Sequence, residues 1–344
     1  MLKIIIDQNI PFVRGVFESV ANVQYLSSQN IDNQAIKDAD VLIVRTRTRC
    51  NELLLHNAKV RFIATATAGS DHIDFDFCKK NNIEIAVAFG CNARSVAQYV
   101  ASAIGFWQKK NGFENENLTI GIVGCGYVGK EVEKVAKLLN INILLNDTPL
   151  QKSTGSTKFV SLQHIAENAD IITFHTPLTF DGEFPTKNLA NRDFFENIRR
   201  KPLIINAARG GVVDETELLK AYKSGKIADF VLDCWENEPQ ISHEMLKNAL
   251  IATPHIAGYS ADGKANAAKI IVRAVAQFFG FEELKNFDVI LPKNEKKCTD
   301  FKSAQKLFLD NYNIEFDSKN LKSNPQNFEF FRNNYYERRE IDFL

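Results

Sequence analysis

Three residues late in the chain carry the side chains that acid–base chemistry needs. His255 stands in TPHIAGYS (253–260) and is one of six histidines in the sequence. Imidazole titrates nearest neutrality, so it can take and return a proton at little cost. Arg209 lies in LIINAARGGVVDE and Glu238 in DFVLDCWENEP. Each of the three follows an apolar, β-rich run, and in a parallel sheet the carboxyl ends of the strands face the ligand crevice. Residues far apart in sequence can therefore converge on one site. A guanidinium fork holds a carboxylate in plane, a base takes a hydroxyl proton as hydride leaves, and an acid orients and charges the base. That set suits oxidation of a 2-hydroxy acid. Singly, each residue has a plainer reading: a surface cation before Gly-Gly, a solvated turn glutamate before proline, a satisfied loop histidine.

What shifts the balance is a glycine loop upstream. LTIGIVGCGYVGKEVEKVAKLLNINILLND places Gly124, Gly126 and Gly129 in the G-x-G-x-x-G spacing, after an apolar strand and at the start of an amphipathic helix. Gly124 allows a tight turn, Gly126 lets the backbone approach a pyrophosphate, and Gly129 lets the helix close on the sheet. The helix amino terminus, with Tyr127 and Val128 in its first turn, offers free N–H groups to the anion. Asp147 ends the next strand, where it can accept from the adenosine ribose and repel a 2′-phosphate. This predicts NAD rather than NADP. A strand-end cap is the plainer reading of Asp147.

These residues need a doubly wound scaffold. KIIID (3–7), VLIVRT (41–46), RFIATAT (61–67) and IEIAVA (83–88) read as short strands, separated by segments such as PFVRGVFESV and FDFCKKNN that read as helices. After the long apolar helix SVAQYVASAIGFWQKK the alternation restarts with LTIGIVG, NILLND, DIITFHTP, PLIINAA, ADFVLD and LIATPH. Strands alternating with helices predict parallel sheets covered on both faces. The expectation is an α/β protein with two doubly wound parallel-sheet lobes and a small C-terminal α+β module. The lobes are a flavodoxin-like substrate lobe (1–94 with 259–291) and a Rossmann cofactor lobe (95–258); the shortened module takes 292–344.

Composition excludes several classes. Lys plus Arg and Asp plus Glu both number 42, so no net charge favours nucleic acid or an anionic membrane. No stretch approaches the roughly 18 apolar residues of a membrane span, and the amino terminus reads as a strand, so a cytoplasmic location is expected. The six cysteines form no CxxC pair, which reads as reduced thiols and no metal site.

HTPL (175–178), NAARGGVVDE (206–215), LDCWENEP (232–239) and TPHIAG (253–258) resemble the D-isomer-specific 2-hydroxyacid dehydrogenase family over roughly residues 40 to 290. The resemblance implies a substrate-binding arginine at Arg209, its glutamate at Glu238 and its acid–base histidine at His255. It also implies NAD contacts from Asp147, Thr176, Ala207, Asp233 and Gly258, and substrate contacts from Thr46, Thr67 and Tyr259. KIIIDQNIPF, VRTRTRCNELLL, FIATATAGSDHID, GCNARSVAQYV, HIAGYSADGKANA and NYYERRE narrow it to the branch of vitamin B6 synthesis, whose substrate is the phosphorylated 2-hydroxy acid 4-phospho-D-erythronate. Rival readings are a phosphoglycerate or glyoxylate/hydroxypyruvate enzyme of the same family, and a non-enzymatic NAD-sensing protein on the same fold.

Two further stretches complete the expectations. Arg45, Arg47 and Arg49 alternate with threonines; in an extended segment they would share one face, either as a solvated strand edge or as a cation site for a substrate phosphate, Arg45 first. The tail carries Phe301, Phe308, Phe328, Phe330, Phe331, Tyr335 and Tyr336, too many aromatics to leave in water. It is expected to form a homodimer, with Arg338 and Arg339 near the partner's site, and to be dispensable for NAD binding.

Overall fold

Long apolar runs with β-branched residues make the strands, and almost every central strand is buried on both faces, as parallel sheets under helices require. The structure, a computed structural model, describes residues 1–112, 117–292, 294, 297–298, 301–335 and 338–343. The chain divides into two units, Met1–Asn92 with Ser260–Lys293 and Ala93–Tyr259 with Asn294–Leu344.

The first unit is built on β1 (Lys3–Asp7), β2 (Asn22–Leu26), β3 (Val41–Val44), β4 (Phe62–Thr65) and β5 (Glu84–Val87), in the order β2-β1-β3-β4-β5. All pairs are parallel, and the order is that of flavodoxin-like sheets. The helix Ala261–Phe279, capped by Ser260, packs Ala267, Ala268, Ile271, Val272 and Val275 into one of its two cores. The segment 11–20, read as a helix, is instead a succession of turns. Phe12 and Gly15 there take positive φ, which breaks a helical run.

The second unit carries β6 (Thr119–Val123), β7 (Asn142–Asn146), β8 (Ile171–Phe174), β9 (Leu203–Asn206), β10 (Asp229–Leu232) and β11 (Ile251–Ala252). Their order is β11-β10-β9-β8-β6-β7, all parallel. The strand order reverses between β6 and β8, and a doubly wound sheet binds its ligand at that crevice. The helix Ala93–Asn111 lies against the helix Tyr127–Leu138 and buries Tyr99, Val100, Ile104 and Trp107 in the same core as β6.

The tail packs onto the cofactor unit. Its helices Phe301–Asn311, Ile314–Ser323 and Phe328–Asn333 and the two-residue ladder Lys297–Cys298 with Asp342–Phe343 belong to the cofactor unit. Phe308, Tyr312 and Ile314 enter one core of that unit and Leu321 and Phe328 the other. The Ser318 hydroxyl accepts the Ala252 N–H at 3.0 Å, so the tail also satisfies the edge of β11. A segment this short cannot enclose a generous core of its own, and it shares its neighbour's. Of the tail's aromatics, Tyr336 and the Phe301 side chain lie outside the described residues. Among the described residues, no helix is long and apolar enough to cross a membrane.

Candidate active site

The turn after β6 is shaped by its glycines. Gly124 takes φ +91°, and a Cβ on Gly129 would stand 2.1 Å from the Gly124 carbonyl oxygen. The helix therefore starts tight against the strand only because position 129 has no side chain. A Cβ at Gly126 would meet nothing, so the loop backbone is open on that side. Tyr127 is exposed and Val128 half-buried at the helix start. Asp147 binds this loop directly: its Oδ2 accepts the Cys125 N–H at 2.8 Å, and its Oδ1 caps the next helix at the Leu150 N–H, 2.9 Å away. The capping role and a position beside the glycine loop thus coexist. Each carboxylate oxygen still has a lone pair for a further donor.

Across the reversal point, His175 and Thr176 follow β8. The His175 Nε2 meets the Thr173 hydroxyl at 2.9 Å, and burial pushes its imidazole down to about 3. The Thr176 hydroxyl is buried and makes no hydrogen bond. A buried hydroxyl without a partner costs free energy unless something else supplies one. Together with the open face of Gly126 and the carboxylate of Asp147, it fits a dinucleotide with hydroxyl and phosphate oxygens at this crevice. Ala207, after β9, packs against the core under the helix pair.

His255 and Glu238 meet from the loops after β11 and β10. His255 Nδ1 lies 2.9 Å from Glu238 Oε2 and 3.1 Å from Oε1. Both side chains are largely buried, at 25% and 17% exposure. Burial alone would raise the Glu238 carboxyl. The hydrogen bond and charge of His255, the Trp235 N–H and Arg332 outweigh it and leave the group below its ordinary range. With Nδ1 held by the carboxylate, Nε2 is the ring atom free to exchange a proton. His255 itself takes φ +58°, a left-handed conformation uncommon outside glycine. Strain of this kind persists only where surrounding contacts impose it.

Those contacts come from both sides of the loop. Asp233, 1% exposed at the end of β10, accepts from the Ile256 and Ala257 N–H groups at 2.8 and 2.9 Å and from the Thr253 hydroxyl at 2.7 Å. Thr253 in turn meets the Tyr99 hydroxyl at 2.7 Å. From the tail, Arg338 donates to the Ile256 carbonyl at 3.2 Å, to the Ser95 hydroxyl at 3.0 Å and to the Ala257 carbonyl. Its guanidinium lies 4.3 Å from the centre of the Tyr312 ring. The peptide that follows His255 is thus gripped at its N–H groups by an acid and at its carbonyls by a cation. Arg338 was expected near a partner's site; it is buried within its own chain, where five donors and a planar fork suit this bridging. Arg339 offers its carbonyl to Asn311 at 3.0 Å.

Arg209 enters from the loop after β9, which runs beside the Glu238 loop. A Cβ on Gly210 would stand 1.8 Å from the Trp235 carbonyl oxygen, so the two loops touch because position 210 is glycine. The Arg209 Nη1 donates to the Ala208 carbonyl at 2.7 Å. Cys234 approaches the pair as well, its Sγ within 4.8 Å of ligand-capable atoms of Glu238 and His255. Burial holds its thiol well above the usual range, so it stays protonated. Gly258 and Tyr259 close the loop; the Tyr259 ring sits edge-on to Tyr335 at 6.0 Å.

In the other unit, the expected substrate residues stand at the carboxyl ends of β3 and β4. Thr46 is exposed and Arg45 half-buried. The segment 45–49 is a turn, with Thr48 N–H bonded to the Arg45 carbonyl at 3.1 Å, and not the extended stretch that alternation implied. Arg45 is therefore drawn inward to Asp7, while Arg47 and Arg49 face solvent. Thr67 shares a 2.8 Å hydrogen bond with Thr65, and Thr65 is held at 3.1 Å by His72. Burial keeps that imidazole neutral, with its pKa lowered to about 4.

Comparison with known proteins agrees with this architecture. Residues 86–257 match the D-isomer specific 2-hydroxyacid dehydrogenase NAD binding domain. The erythronate-4-phosphate dehydrogenase of Bacteroides thetaiotaomicron is 44% identical over 98% of this chain and 97% of its own length. The chain belongs to the D-isomer specific 2-hydroxyacid dehydrogenase family. It is an NAD-dependent oxidoreductase of that family. The erythronate-4-phosphate dehydrogenase of Porphyromonas gingivalis is 37% identical over 99% of this chain and 94% of its own length. Among solved structures, the NAD+-bound 3-phosphoglycerate dehydrogenase of Entamoeba histolytica superposes with a TM-score of 0.69 at 25% identity, over 84% of this chain and 99% of its own.

Sequence reasoning missed Arg332. Its Nη1 stands 3.5 Å from Glu238 Oε2, and the two side chains are 15% and 17% exposed. The tail's many aromatics marked the stretch as unusual, but nothing in the spacing said where it folds.

Proposed function

We propose that this dehydrogenase oxidises 4-phospho-D-erythronate at C2 to (R)-3-hydroxy-2-oxo-4-phosphooxybutanoate, a step of pyridoxal 5′-phosphate synthesis. The observation that carries the reading is the 44% identity to an erythronate-4-phosphate dehydrogenase over 98% of the chain, with the Glu238–His255 pair formed. Bound NAD supplies the acceptor for the C2 hydride. Gly124, Gly126, Tyr127, Val128 and Gly129 form the turn for its pyrophosphate, and Asp147 accepts from the ribose. Thr176, Ala207 and Gly258 line its path, while Asp233 acts by holding the His255 loop.

Arg209 holds the substrate carboxylate as a bidentate fork. His255 Nε2 takes the C2 hydroxyl proton, and Glu238 fixes the tautomer and stabilises the imidazolium that forms. Thr46, Thr67 and Tyr259 orient the hydroxyls. Arg45, with the exposed Arg47 and Arg49 of the same turn, provides the cationic setting for the phosphate. The protein is proposed to act in the cytoplasm as a homodimer. Phe316 and Phe330 of the tail, about 60% exposed, support an apolar contact there.

NADH formation measured with 4-phosphoerythronate, 3-phosphoglycerate and unphosphorylated erythronate tests the assignment. The first should give the highest kcat/KM by a wide margin. Turnover of 3-phosphoglycerate equal to or above it would overturn the assignment.

A further inference from the structure

We propose that Arg332, supplied by the C-terminal tail of the same chain, is a positioning residue that sets the proton affinity of His255 by sharing the Glu238 carboxylate. The inference rests on the acid–base roles given above to Glu238 and His255.

Glu238 is asked to serve three donors. Oε1 accepts the Trp235 N–H at 2.9 Å and stands 3.1 Å from His255 Nδ1. Oε2 lies between His255 Nδ1 at 2.9 Å and Arg332 Nη1 at 3.5 Å. A guanidinium does not lose its proton, so Arg332 is a fixed cation facing the same oxygen that must stabilise the imidazolium. It also reaches the Tyr259 side chain. Its Nε is buried with no hydrogen-bond partner. Arg338, whose Nε is also buried without a partner, spends its terminal nitrogens on backbone and hydroxyl oxygens, whereas the terminal nitrogen of Arg332 faces the Glu238 carboxylate.

The surroundings leave the cation's effect uncancelled. Asp233 acts on His255 from the end of β10, and Cys234 beside it stays a neutral thiol. Glu215, at the start of the helix Glu215–Lys223, acts on Glu238 but is raised by burial to about 7, and so carries a full charge only above neutrality. Arg209 acts on Cys234 from that side. On its own helix Arg332 has Glu329. Against this background the Arg332 charge opposes protonation of His255. Oxidation requires the neutral imidazole, so the cation keeps the base in its working form to lower pH. Without that cation the Glu238–His255 pair would hold the proton longer.

The sign follows. Replacing the charge, in Arg332→Gln, should raise the apparent pKa of the acid limb of kcat/KM for oxidation by about one unit, the scale expected for a neighbouring charge a few ångströms away. Arg332→Lys keeps the charge and should leave the limb near its wild-type position. NAD binding and thermal stability are measured on each variant, and Arg332→Met, which keeps the apolar stem, replaces the glutamine variant if that one does not fold. A limb unmoved in the neutral variant, or moved equally in the lysine variant, overturns the inference. The profiles are recorded on whichever 2-hydroxy acid the wild type turns over best. Failure of the wild type on 4-phosphoerythronate therefore counts against the assigned substrate alone.

Discussion

Asp7, with no solvent exposure, grips Arg45 along one edge of its guanidinium, Oδ2 to Nε at 3.0 Å and Oδ1 to Nη2 at 3.3 Å. The pair ties the end of β1 to the turn after β3 and aims the remaining edge of the cation. It also makes a simple deletion hard to interpret. Arg45→Ala leaves a buried carboxylate unpaired and should cost up to about 3 kcal/mol of stability. The double variant Asp7→Asn/Arg45→Gln should recover most of that in thermal unfolding while KM for the phosphorylated substrate stays raised. Recovery of KM along with stability would remove Arg45 from the phosphate site.

The Glu238–His255 pair makes a prediction with a definite sign. His255→Ala should lower kcat about 10²- to 10⁴-fold, the usual worth of a general base, with NAD binding retained because the glycine loop is untouched. Glu238→Gln keeps the shape but withdraws the charge that favours the imidazolium. The acid limb of the pH–rate profile should then move to lower pH, opposite to the shift expected for Arg332→Gln. Steady-state profiles of the two variants side by side check both signs.

Asp147 does two jobs at once, so the informative variant is the isosteric one. Asp147→Ala removes a helix cap worth about 0.5–2 kcal/mol as well as the proposed ribose acceptor. Asp147→Asn keeps an acceptor for the Cys125 or Leu150 N–H and removes the charge that repels a 2′-phosphate. The NAD-to-NADP affinity ratio should narrow in both variants, with a smaller loss of stability in the asparagine one. Fluorescence titration with each cofactor measures the ratio, and an unchanged ratio would leave Asp147 as a cap alone.

How much of this was readable beforehand depended on whether the signal was local. Strand runs such as KIIID and LTIGIVG carry their burial in their own composition, and β1 and β6 appear where those runs lie. The glycine loop was legible because each glycine answers a steric demand within a few residues. Glu238 and His255 were legible because strand ends in a parallel sheet face one crevice. The segment 11–20 misled because its apolar spacing is helical while Phe12 and Gly15 bend the chain into turns. The extended reading of 45–49 misled because the partner of Arg45, Asp7, lies at a remote strand end that no spacing rule connects to it. The tail's docking was illegible for the same reason: Ser318 bonding Ala252, or Arg338 holding Ile256, is a long-range fact about surfaces.

That docking reverses the expectation for truncation. If the tail served only to join two subunits, removing residues 293–344 would leave a monomer that binds NAD. In the structure the same residues fill both cores of the cofactor unit, through Phe308 and Ile314 on one side and Leu321 and Phe328 on the other. They also satisfy the Ala252 N–H and the carbonyls that follow His255. Truncation should therefore expose apolar surface and destabilise the NAD-binding unit itself, which is read as aggregation or a large fall in Tm. The graded test is Phe328→Ala: burying a phenylalanine this fully should make its removal cost about 3–5 kcal/mol. Tm and NAD affinity are measured for that variant alongside Phe330→Ala, whose ring is 62% exposed and whose loss should leave the fold's stability nearly unchanged. A truncated chain that binds NAD with wild-type affinity and unfolds at the wild-type temperature would show that the tail contributes nothing to the core it occupies.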